Sequence, residues 1–342
     1  MGEWQSKKVL VTGGTGFIGS HVVQALLAEG ARVRVLAHYN GGGHLGNLGE
    51  LPSPERAEVE VVWGDLRDAD SVRRAVKGME RVLHLGALIS IPYSYQDPRS
   101  YVDVNVTGTL NVLVACRDAG VERLVHTSTS EVYGTPDTVP IAETHPLRGQ
   151  SPYSASKIGA DKLVESFYCS YNLPVVTLRP FNAYGPRQST RALIPTILTQ
   201  ALWAPEIRLG SLWPRRDYTY VTDTARAFLK AGSAPGIEGM VLNAGYGADI
   251  SVGELAAMAM QLTGRRVPVV EVAERVRPRA SEVARLLCDR TLAGQRLGWE
   301  PEVPLEEGLR RTLAFIERRF TPEILKQTIL SPDPVHGRAA QP

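Results

Sequence analysis

Short apolar runs alternate with amphipathic stretches through the first half of the chain. The apolar runs predict strands at 9–12, 32–37, 59–63, 82–85, 124–127 and 175–178. Apolar positions at helical spacing predict helices between these strands, at 17–28, 70–77, 104–119 and 152–171. Strands that alternate with helices form parallel sheets covered by helices on both faces. We therefore expect an α/β fold built on a doubly wound parallel sheet.

The pattern becomes less regular after Arg179, where Pro, Trp and Arg are more frequent. We predict a larger domain formed by 1–183 and about 217–245, a smaller C-terminal lobe formed by about 184–216 and 246–330, and a tail at 331–342. Ligands of open α/β sheets bind outside the carboxyl ends of the strands. The site is therefore expected between the two parts, with the smaller lobe binding the substrate.

Composition and charge narrow the class of protein. The 342 residues carry a net charge of +2, which argues against a broad nucleic-acid or membrane surface. No apolar run approaches the ~18 residues that a membrane span needs. The three cysteines are far apart and no Cys/His spacing fits a metal site, so we expect a soluble cytoplasmic protein without a metal.

A glycine-rich turn follows the first predicted strand and opens the first predicted helix. It reads Thr-Gly-Gly-Thr-Gly-Phe-Ile-Gly from Thr12. Its glycines permit a tight turn and bring backbone N–H groups close to a pyrophosphate at the helix N-terminus. The turn thus predicts a Rossmann domain that binds NAD(P). The residues expected to contact the cofactor here are Gly13, Gly16, Phe17, Ile18 and Gly19.

The segment after the second predicted strand bears on the choice between NAD and NADP. A carboxylate usually stands there and binds the ribose 2′-hydroxyl of NAD, but residues 37–40 read Ala-His-Tyr-Asn. This removes repulsion against a 2′-phosphate, and His38 or Arg34 can favour one, so the sequence indicates NADP slightly more than NAD. Further cofactor contacts are expected after the third and fourth strands, at Asp65, Leu66 and Leu85.

Tyr153 and Lys157 are spaced four residues apart on one predicted helix, so both project from the same face. Ser151 is a good N-cap and Pro152 suits the first helical position. A nearby ammonium favours a phenolate, so we expect Lys157 to lower the pKa of Tyr153. A tyrosine of this kind suits the base that removes a hydroxyl proton during hydride transfer.

Several further motifs follow these along the chain, at 64–66, 84–87, 105–109, 127–134, 153–157, 179–187 and 216–221. Together with the glycine turn, they make the sequence resemble the extended short-chain dehydrogenase/reductases, the NDP-sugar epimerase/dehydratase family, over nearly its full length. Within that family it is most similar to the N-acetylhexosamine 4,6-dehydratases of legionaminic-acid-type pathways. The segments that carry this finer resemblance are 38–40, 131–135, 151–163, 185–197 and 277–283.

The resemblance implies a role for each matching residue. Thr129 hydrogen-bonds the sugar hydroxyl that is oxidised, Tyr153 removes its proton, and Lys157 holds the nicotinamide ribose. In a dehydration Glu131 is the base for the C5 proton, and Ser130 or reprotonated Glu131 helps water leave. The residues implied to bind the sugar nucleotide are Asn182, Arg187, Arg216 and Arg277. Paired arginines suit a diphosphate, because a guanidinium can grip two oxygens at once.

The sequence leaves more than one activity open. A 4,6-dehydratase acting on an NDP-hexose or NDP-N-acetylhexosamine is expected, but the same scaffold supports C4 epimerisation and decarboxylation of a UDP-hexuronic acid. Decarboxylases of this family also carry Ser-Glu at the position of 130–131. An NAD(P)-binding regulator on the same fold is a non-enzymatic alternative. The resemblance further implies a homodimer, formed by the helices at 104–119 and 152–171.

Overall fold

The elements of the fold are taken from a computed structural model, which describes residues 2–321. Within this range the strands are β1 (Lys8–Thr12), β2 (Arg32–His38), β3 (Glu60–Gly64), β4 (Arg81–His84), β5 (Arg123–Thr127), β6 (Val175–Pro180), β7 (Asn182–Tyr184), β8 (Ile207–Leu209), β9 (Arg215–Tyr220), β10 (Val241–Ala244), β11 (Asp249–Ser251), β12 (Val269–Glu271) and β13 (Arg285–Leu286). The helices are α1 (Phe17–Ala28), α2 (Ser53–Ala57), α3 (Ala69–Val76), α4 (Ile91–Ser94), α5 (Pro98–Tyr101), α6 (Gly108–Ala119), α7 (Pro152–Tyr171), α8 (Leu193–Trp203), α9 (Val221–Ser233), α10 (Val252–Thr263), α11 (Thr291–Leu297) and α12 (Leu305–Arg319).

Seven parallel strands form the main sheet, in the order β10-β6-β5-β4-β1-β2-β3. This is the doubly wound Rossmann arrangement with a further strand at one edge, so the predicted α/β fold is confirmed. β1 is central because its apolar run is buried on both faces, as parallel sheets require. The winding direction reverses between β1 and β4, and the crevice for a ligand opens at that point.

Helices cover both faces of this sheet. On one face α1 and α9 pack over an apolar cluster that includes Val11, Val35 and Phe228. On the other face α3, α6 and α7 pack over a cluster that includes Leu10 and Val82. The two clusters bury successive residues of β1 on opposite sides, because side chains of a strand alternate between faces.

Helix α7 has the bounds that its sequence predicts. The Ser151 hydroxyl accepts a hydrogen bond from the Ser154 backbone N–H at 3.1 Å, and the Ser154 hydroxyl accepts one from the Ser151 N–H at 3.0 Å. This reciprocal capping satisfies two donors that the first helical turn leaves without partners. Asn172, in the left-handed conformation, ends the helix.

The helix expected at 104–119 differs at its start. It is preceded by a π turn, Val102–Thr107, and α6 proper begins at Gly108. In the π turn the Asn105 side chain accepts from the Leu88 N–H at 2.8 Å and donates to the Leu88 carbonyl at 2.9 Å. This contact joins the π turn to a segment 17 residues away in sequence, which local periodicity does not report.

The C-terminal part of the chain has its own small sheet and apolar cluster. β9 pairs with β7, β11 and β13, while α8, α10 and α12 enclose a cluster around Leu198, Leu255 and Leu313. Residues 217–220 therefore belong to the smaller sheet, although the sequence analysis grouped about 217–245 with the larger domain. α9 and β10 do pack on the main sheet. The remaining domain boundaries stay predictions, and 331–342 lies outside the described residues.

Candidate active site

The glycine turn connects β1 to α1. Gly13 has a φ of +70°, and a Cβ placed there would lie 2.7 Å from the Gly86 nitrogen. A Cβ at Gly19 would collide with the Gly13 carbonyl, whereas one at Gly16 would meet only that oxygen, at 3.1 Å. Gly13 and Gly19 are thus needed for packing, while Gly16 lies at the open side of the turn.

The start of α1 fits an anionic ligand. Gly16 is the N-cap residue, no side chain caps the helix, and no acidic residue lies in the first turn. The N–H groups of Phe17, Ile18 and Gly19 precede the first intrahelical bond, which Ser20 donates to Gly16. Free donors and the helix dipole at this end suit the pyrophosphate of a dinucleotide, so the residues present fit the predicted cofactor.

Charged side chains meet where β2 and β3 end. The His38 ring Nδ1 lies 3.7 Å from an Asp65 carboxylate oxygen, and Arg67 binds the same carboxylate through Nη2 at 2.6 Å. Hydrogen bonding from Arg67 holds the pKa of Asp65 below its usual range. The sequence analysis did not identify Arg67. Its position two residues after Asp65 could have indicated that the two side chains pair. Beside this group, Leu66 accepts a hydrogen bond from Asn111 at 2.8 Å.

Leu85, the last of the predicted cofactor contacts, directly follows β4 and donates its N–H to the Thr12 carbonyl at 3.1 Å. The Thr12 hydroxyl lies 2.7 Å from Nδ1 of buried His84 and accepts the Gly86 N–H at 3.0 Å. These contacts tie the loop after β4 to the end of β1. The loop is therefore held beside the glycine turn, at the reversal point of the sheet.

The predicted catalytic residues come together where β5 ends against α7. The segment 128–133, called the strand-end segment below, carries Thr129, Ser130 and Glu131. The Thr129 hydroxyl lies close enough to Tyr153 to favour the phenolate and so to act against the rise in the pKa of Tyr153. Ser130 is buried, and Glu131 is half-buried with its charge close enough to Tyr153 to raise the pKa of that phenol. Lys157 lies buried one turn further along α7.

The pKa of Tyr153 is raised, not lowered as its spacing from Lys157 predicts. Burial is the main cause, the Glu131 charge adds to it, and the hydrogen bond with Thr129 opposes both. Burial also lowers the pKa of Lys157 to about 8, against the attraction of Asp161. The spacing correctly placed the two side chains on one face, but it carried no information about their desolvation.

The predicted substrate residues fall into two places. Arg216, on β9, is buried and donates to the Val283 carbonyl at 2.8 Å and to Glu282 at 2.9 Å. Arg277 reaches the same Glu282 oxygen at 3.6 Å, so one carboxylate holds both guanidinium groups. Asn182, on β7, has a buried Oδ1 without a hydrogen-bond partner. Sequence reasoning missed Glu282, although it lies in the same motif as Arg277.

Arg187 lies elsewhere. Its guanidinium donates to Gln24 at 2.7 Å and to Ser20 at 3.4 Å, both on α1. These side-chain contacts hold Arg187 against α1, the helix that follows the glycine turn. The structure does not bring Arg187 together with Arg216 and Arg277. Two broader observations also apply to the described residues. No His, Cys, Asp and Glu side chains cluster there as a metal site would require, and no helix is long and apolar enough to cross a membrane.

Comparisons with known proteins define the class. Residues 10–312 match the protein family described as GDP-mannose 4,6 dehydratase. The chain therefore belongs to this family of extended short-chain dehydrogenase/reductases, whose members are NAD-dependent NDP-sugar dehydratases and epimerases. The expected family is thereby confirmed.

Individual relatives represent both reactions. A UDP-glucose 4-epimerase from Mycolicibacterium smegmatis is 35% identical over 319 residues, covering 91% of this chain and 99% of the relative. A dTDP-glucose 4,6-dehydratase from Streptomyces griseus is 35% identical over 315 residues, covering 91% and 94%. The structure of a dTDP-glucose 4,6-dehydratase from Streptomyces venezuelae with NAD is similar with a TM-score of 0.81 and 32% identity, covering 91% of this chain and 97% of that one. A UDP-glucose 4-epimerase from Thermus thermophilus with NAD gives 0.81 and 34%, covering 91% and 99%.

Proposed function

We propose that the protein is an NDP-sugar 4,6-dehydratase that converts an NDP-hexose or NDP-N-acetylglucosamine to the 4-keto-6-deoxy sugar. The observation that carries this proposal is the Glu131 carboxylate, which lies near Tyr153 and two residues beyond Thr129. An epimerase needs only to oxidise and reduce C4. Dehydration also needs a base at C5 and a proton at the C6 hydroxyl, and a carboxylate beside the tyrosine supplies both.

At C4 the reaction begins with loss of a hydroxyl proton. A bound nicotinamide supplies reversible hydride acceptance from the sugar carbon. Thr129 and Tyr153 lie near each other, so we propose that a sugar hydroxyl bound between them reaches both oxygens. Tyr153 accepts its proton, Thr129 fixes its orientation, and Lys157 holds the nicotinamide ribose. Because burial disfavours the phenolate, the Lys157 ammonium and the Thr129 hydroxyl are needed to stabilise it.

At C5 and C6 the proposed acid and base are Glu131 and Ser130 of the strand-end segment. A C4 ketone makes the C5 proton acidic, and Glu131 removes it. The C6 hydroxyl then leaves as water after it receives a proton from Ser130 or from protonated Glu131. C6 then takes back the hydride that C4 lost and C5 takes a proton, which gives the 4-keto-6-deoxy sugar. Glu131 is half-buried, whereas Ser130 beside it is almost fully buried.

The diphosphate of the substrate is proposed to bind Arg216 and Arg277. Glu282 holds both guanidinium groups beside each other, so that their N–H groups can donate hydrogen bonds to phosphate oxygens. Asn182 adds an unpartnered acceptor for a substrate hydroxyl. The proposed substrate role of Arg187 rests on the sequence motif alone, since its contacts are with α1.

For the cofactor we propose that NADP binds at least as well as NAD. No carboxylate follows β2, and the nearby Asp65 is already paired with Arg67. His38 is exposed at the same place and available to a 2′-phosphate. The three cysteines are free, which fits a reducing cytoplasm as the proposed location.

We also propose a homodimer formed through α6 and α7. Val102, Val106 and Leu110 recur every fourth residue along the π turn and α6, and Gly159 of α7 lies against Val106. Val102 is 50% exposed and Leu110 is 36% exposed. An apolar stripe left open beside a second helix suits packing against its own copy in a four-helix bundle.

A second candidate, C4 epimerisation, is favoured by the identity to UDP-glucose 4-epimerases, which equals that to the dehydratases. The experiment that separates them is incubation of the purified protein with a panel of UDP-, dTDP- and GDP-sugars, including acetamido sugars and a UDP-hexuronic acid. Loss of one water from a product supports the proposal. An unchanged mass with inverted C4 indicates an epimerase, loss of carbon dioxide indicates a decarboxylase, and no reaction with any sugar indicates a binding protein.

A further inference from the structure

A buried carboxylate, Asp161, lies one helical turn beyond Lys157 on α7. Its side chain is 5% exposed, and the proposed chemistry assigns it no task. Three residues from neighbouring strands bind it. The Ser128 hydroxyl donates to one oxygen at 2.8 Å, and Arg179 of β6 donates to the same oxygen through Nη2 at 2.9 Å. The His126 ring of β5 lies 3.2 Å from the other oxygen.

Asp161 is held in its ionised form. Burial alone would raise its pKa, but the hydrogen bond from His126 and the charges of Arg179 and Lys157 outweigh burial and lower the pKa below its usual value. His126 is itself neutral at pH 7, because burial lowers its pKa to about 4. Its Nδ1 has no partner, which fits a ring that carries its proton on Nε2 and donates to the carboxylate.

We propose that Asp161 is a positioning residue, which keeps Lys157 in its ammonium form and fixes α7 to the strand-end segment. The inference rests on the proposed function in one respect: it takes Lys157, Tyr153 and the strand-end segment to be the catalytic group. Asp161 touches neither substrate nor cofactor and acts through these residues.

The first half of the proposal concerns charge. Lys157 is buried, and burial favours the neutral amine. The other ionisable groups facing it do not offset this: His84 of β4 and His126 of β5 are buried and neutral, and burial disfavours the Tyr153 phenolate in the protein without substrate and cofactor. Asp161 is buried on the same face of α7, four residues from Lys157, and is the anion that opposes the effect of burial on that lysine. Its removal is therefore expected to release the Lys157 proton at a lower pH.

The second half concerns position. Asp161 binds Ser128, the first residue of the strand-end segment, directly. It binds the last residue, Tyr133, through Arg179, whose Nη1 donates to the Tyr133 hydroxyl at 3.0 Å. Both ends of the segment that carries Thr129 are thus connected by hydrogen bonds to one carboxylate on α7. The geometry fixes the distance between the two halves of the catalytic group.

The test compares Asp161→Asn with wild type by nuclear magnetic resonance of protein labelled with ¹⁵N at the lysine side chains. The Lys157 signal is assigned from its absence in Lys157→Arg, and its titration midpoint is measured without substrate. We expect the midpoint to fall by roughly one pH unit or more in Asp161→Asn. The alkaline limb of the pH–rate profile should move to lower pH by the same amount. An unchanged midpoint in the folded variant overturns the charge half.

Three variants separate charge, position and general stability. Asp161→Glu restores the anion, so its midpoint should return to within a few tenths of a unit of wild type. Ser128→Ala keeps the anion but removes one tie, and we expect kcat to fall roughly 10-fold with the Lys157 midpoint unchanged. An unchanged kcat in this variant overturns the position half. Asp223→Asn, a buried acid on α9, is the matched control and should lower thermal stability without moving the midpoint.

The role of Asp161 can still be tested if Asp161→Asn does not fold or if the protein does not catalyse the proposed reaction. Wild-type Lys157 must be cationic at neutral pH, so a wild-type midpoint below roughly 7 contradicts the inference by itself. The resonance measurement needs no sugar nucleotide. A wild-type protein that transforms none of the sugars defeats the proposed function, while the Lys157 midpoints still decide the role of Asp161 in the charge of the buried lysine.

Discussion

At the scale of single residues, Gly16 separates cofactor binding from folding. A valine there is compatible with the backbone, whose φ is −82° and ψ −175°, and its Cβ meets only the Gly13 oxygen. Gly16→Val should therefore keep its fold and lose dinucleotide binding, because the side chain occupies the place proposed for phosphate. Fluorescence titration with NADPH measures the binding and thermal denaturation measures the fold. Gly49→Val, in open space, is the control and should bind normally; equal binding by Gly16→Val would contradict the cofactor assignment.

Arg216 and its neighbour Arg215 form a matched pair for the diphosphate. Arg216 lies with Arg277 on Glu282, whereas Arg215 binds Asp249 and Glu254. Arg216→Ala should raise KM for the sugar nucleotide by roughly 10- to 100-fold with cofactor affinity nearly unchanged, because a charged hydrogen bond to phosphate is lost. Arg215→Ala should leave KM near its wild-type value. Steady-state kinetics decides between them, and equal KM values in both variants would remove Arg216 from the proposed site.

Local spacing predicted which residues meet, but not their electrostatics. Tyr153 and Lys157 share a face of α7 because they are four residues apart. The motif around Thr129 identified that residue as the third member of the predicted catalytic group. The pKa shift expected for Tyr153 was wrong because desolvation depends on everything packed around the ring. Asp161 was missed because its partners come from other strands, more than a dozen residues away in sequence.

At the scale of elements, those with local signals were predicted best. Ser151 and Pro152 marked the start of α7, and the glycine turn marked the start of α1. The π turn before α6 was not predicted, because the apolar spacing at 104–119 does not distinguish it from the α-helix that follows. The pairing of β9 with β7, β11 and β13 was not predicted, because the sequence of a strand does not identify the strands that it pairs with.

The stripe on α6 gives a prediction at this scale. Leu110→Arg places a charge in the proposed helix bundle and should convert the dimer to a folded monomer, since an unpaired charge is costly to bury. Sedimentation velocity at micromolar concentration reports the change. Ala314→Arg makes the same substitution on the exposed side of α12 and should leave the dimer intact. A monomeric wild type, or a dimeric Leu110→Arg, would contradict the proposed interface.

For the whole molecule, buried histidines predict a loss of stability in mild acid. Burial lowers the pKa of His126 to about 4 and that of His84 well below its usual value. Unfolded histidines bind protons below about 6.5, so the unfolded state gains protons first as the pH falls from 6.5 to 4. His126 alone is expected to cost about 3 kcal/mol over this range.

Protonation of Asp217 has the opposite effect on the stability of the fold in mild acid. Burial raises its pKa to about 6, so the folded state binds this proton before the unfolded state, and stability grows as the pH falls through that value. The pKa values of three histidines, His21, His84 and His126, are lowered by burial and only that of Asp217 acts against them here, so Tm should fall between pH 6.5 and 4. Asp217→Asn removes the opposing effect and should make the fall steeper. A Tm that stays level over this range in both proteins would contradict the buried neutral state of the histidines.

The central claim is that Glu131 makes this protein a dehydratase, and the fate of the C5 proton tests it most directly. The wild-type enzyme is incubated in deuterium oxide with a sugar nucleotide that it transforms, and the product is examined by mass spectrometry and proton resonance. We predict a 4-keto-6-deoxy sugar with one solvent deuterium at C5, because a proton held by Glu131 exchanges with solvent before it returns. Glu131→Gln should bind cofactor and form almost none of this product. A C4-inverted sugar of unchanged mass without deuterium at C5, or dehydration by Glu131→Gln at the wild-type rate, would contradict the account.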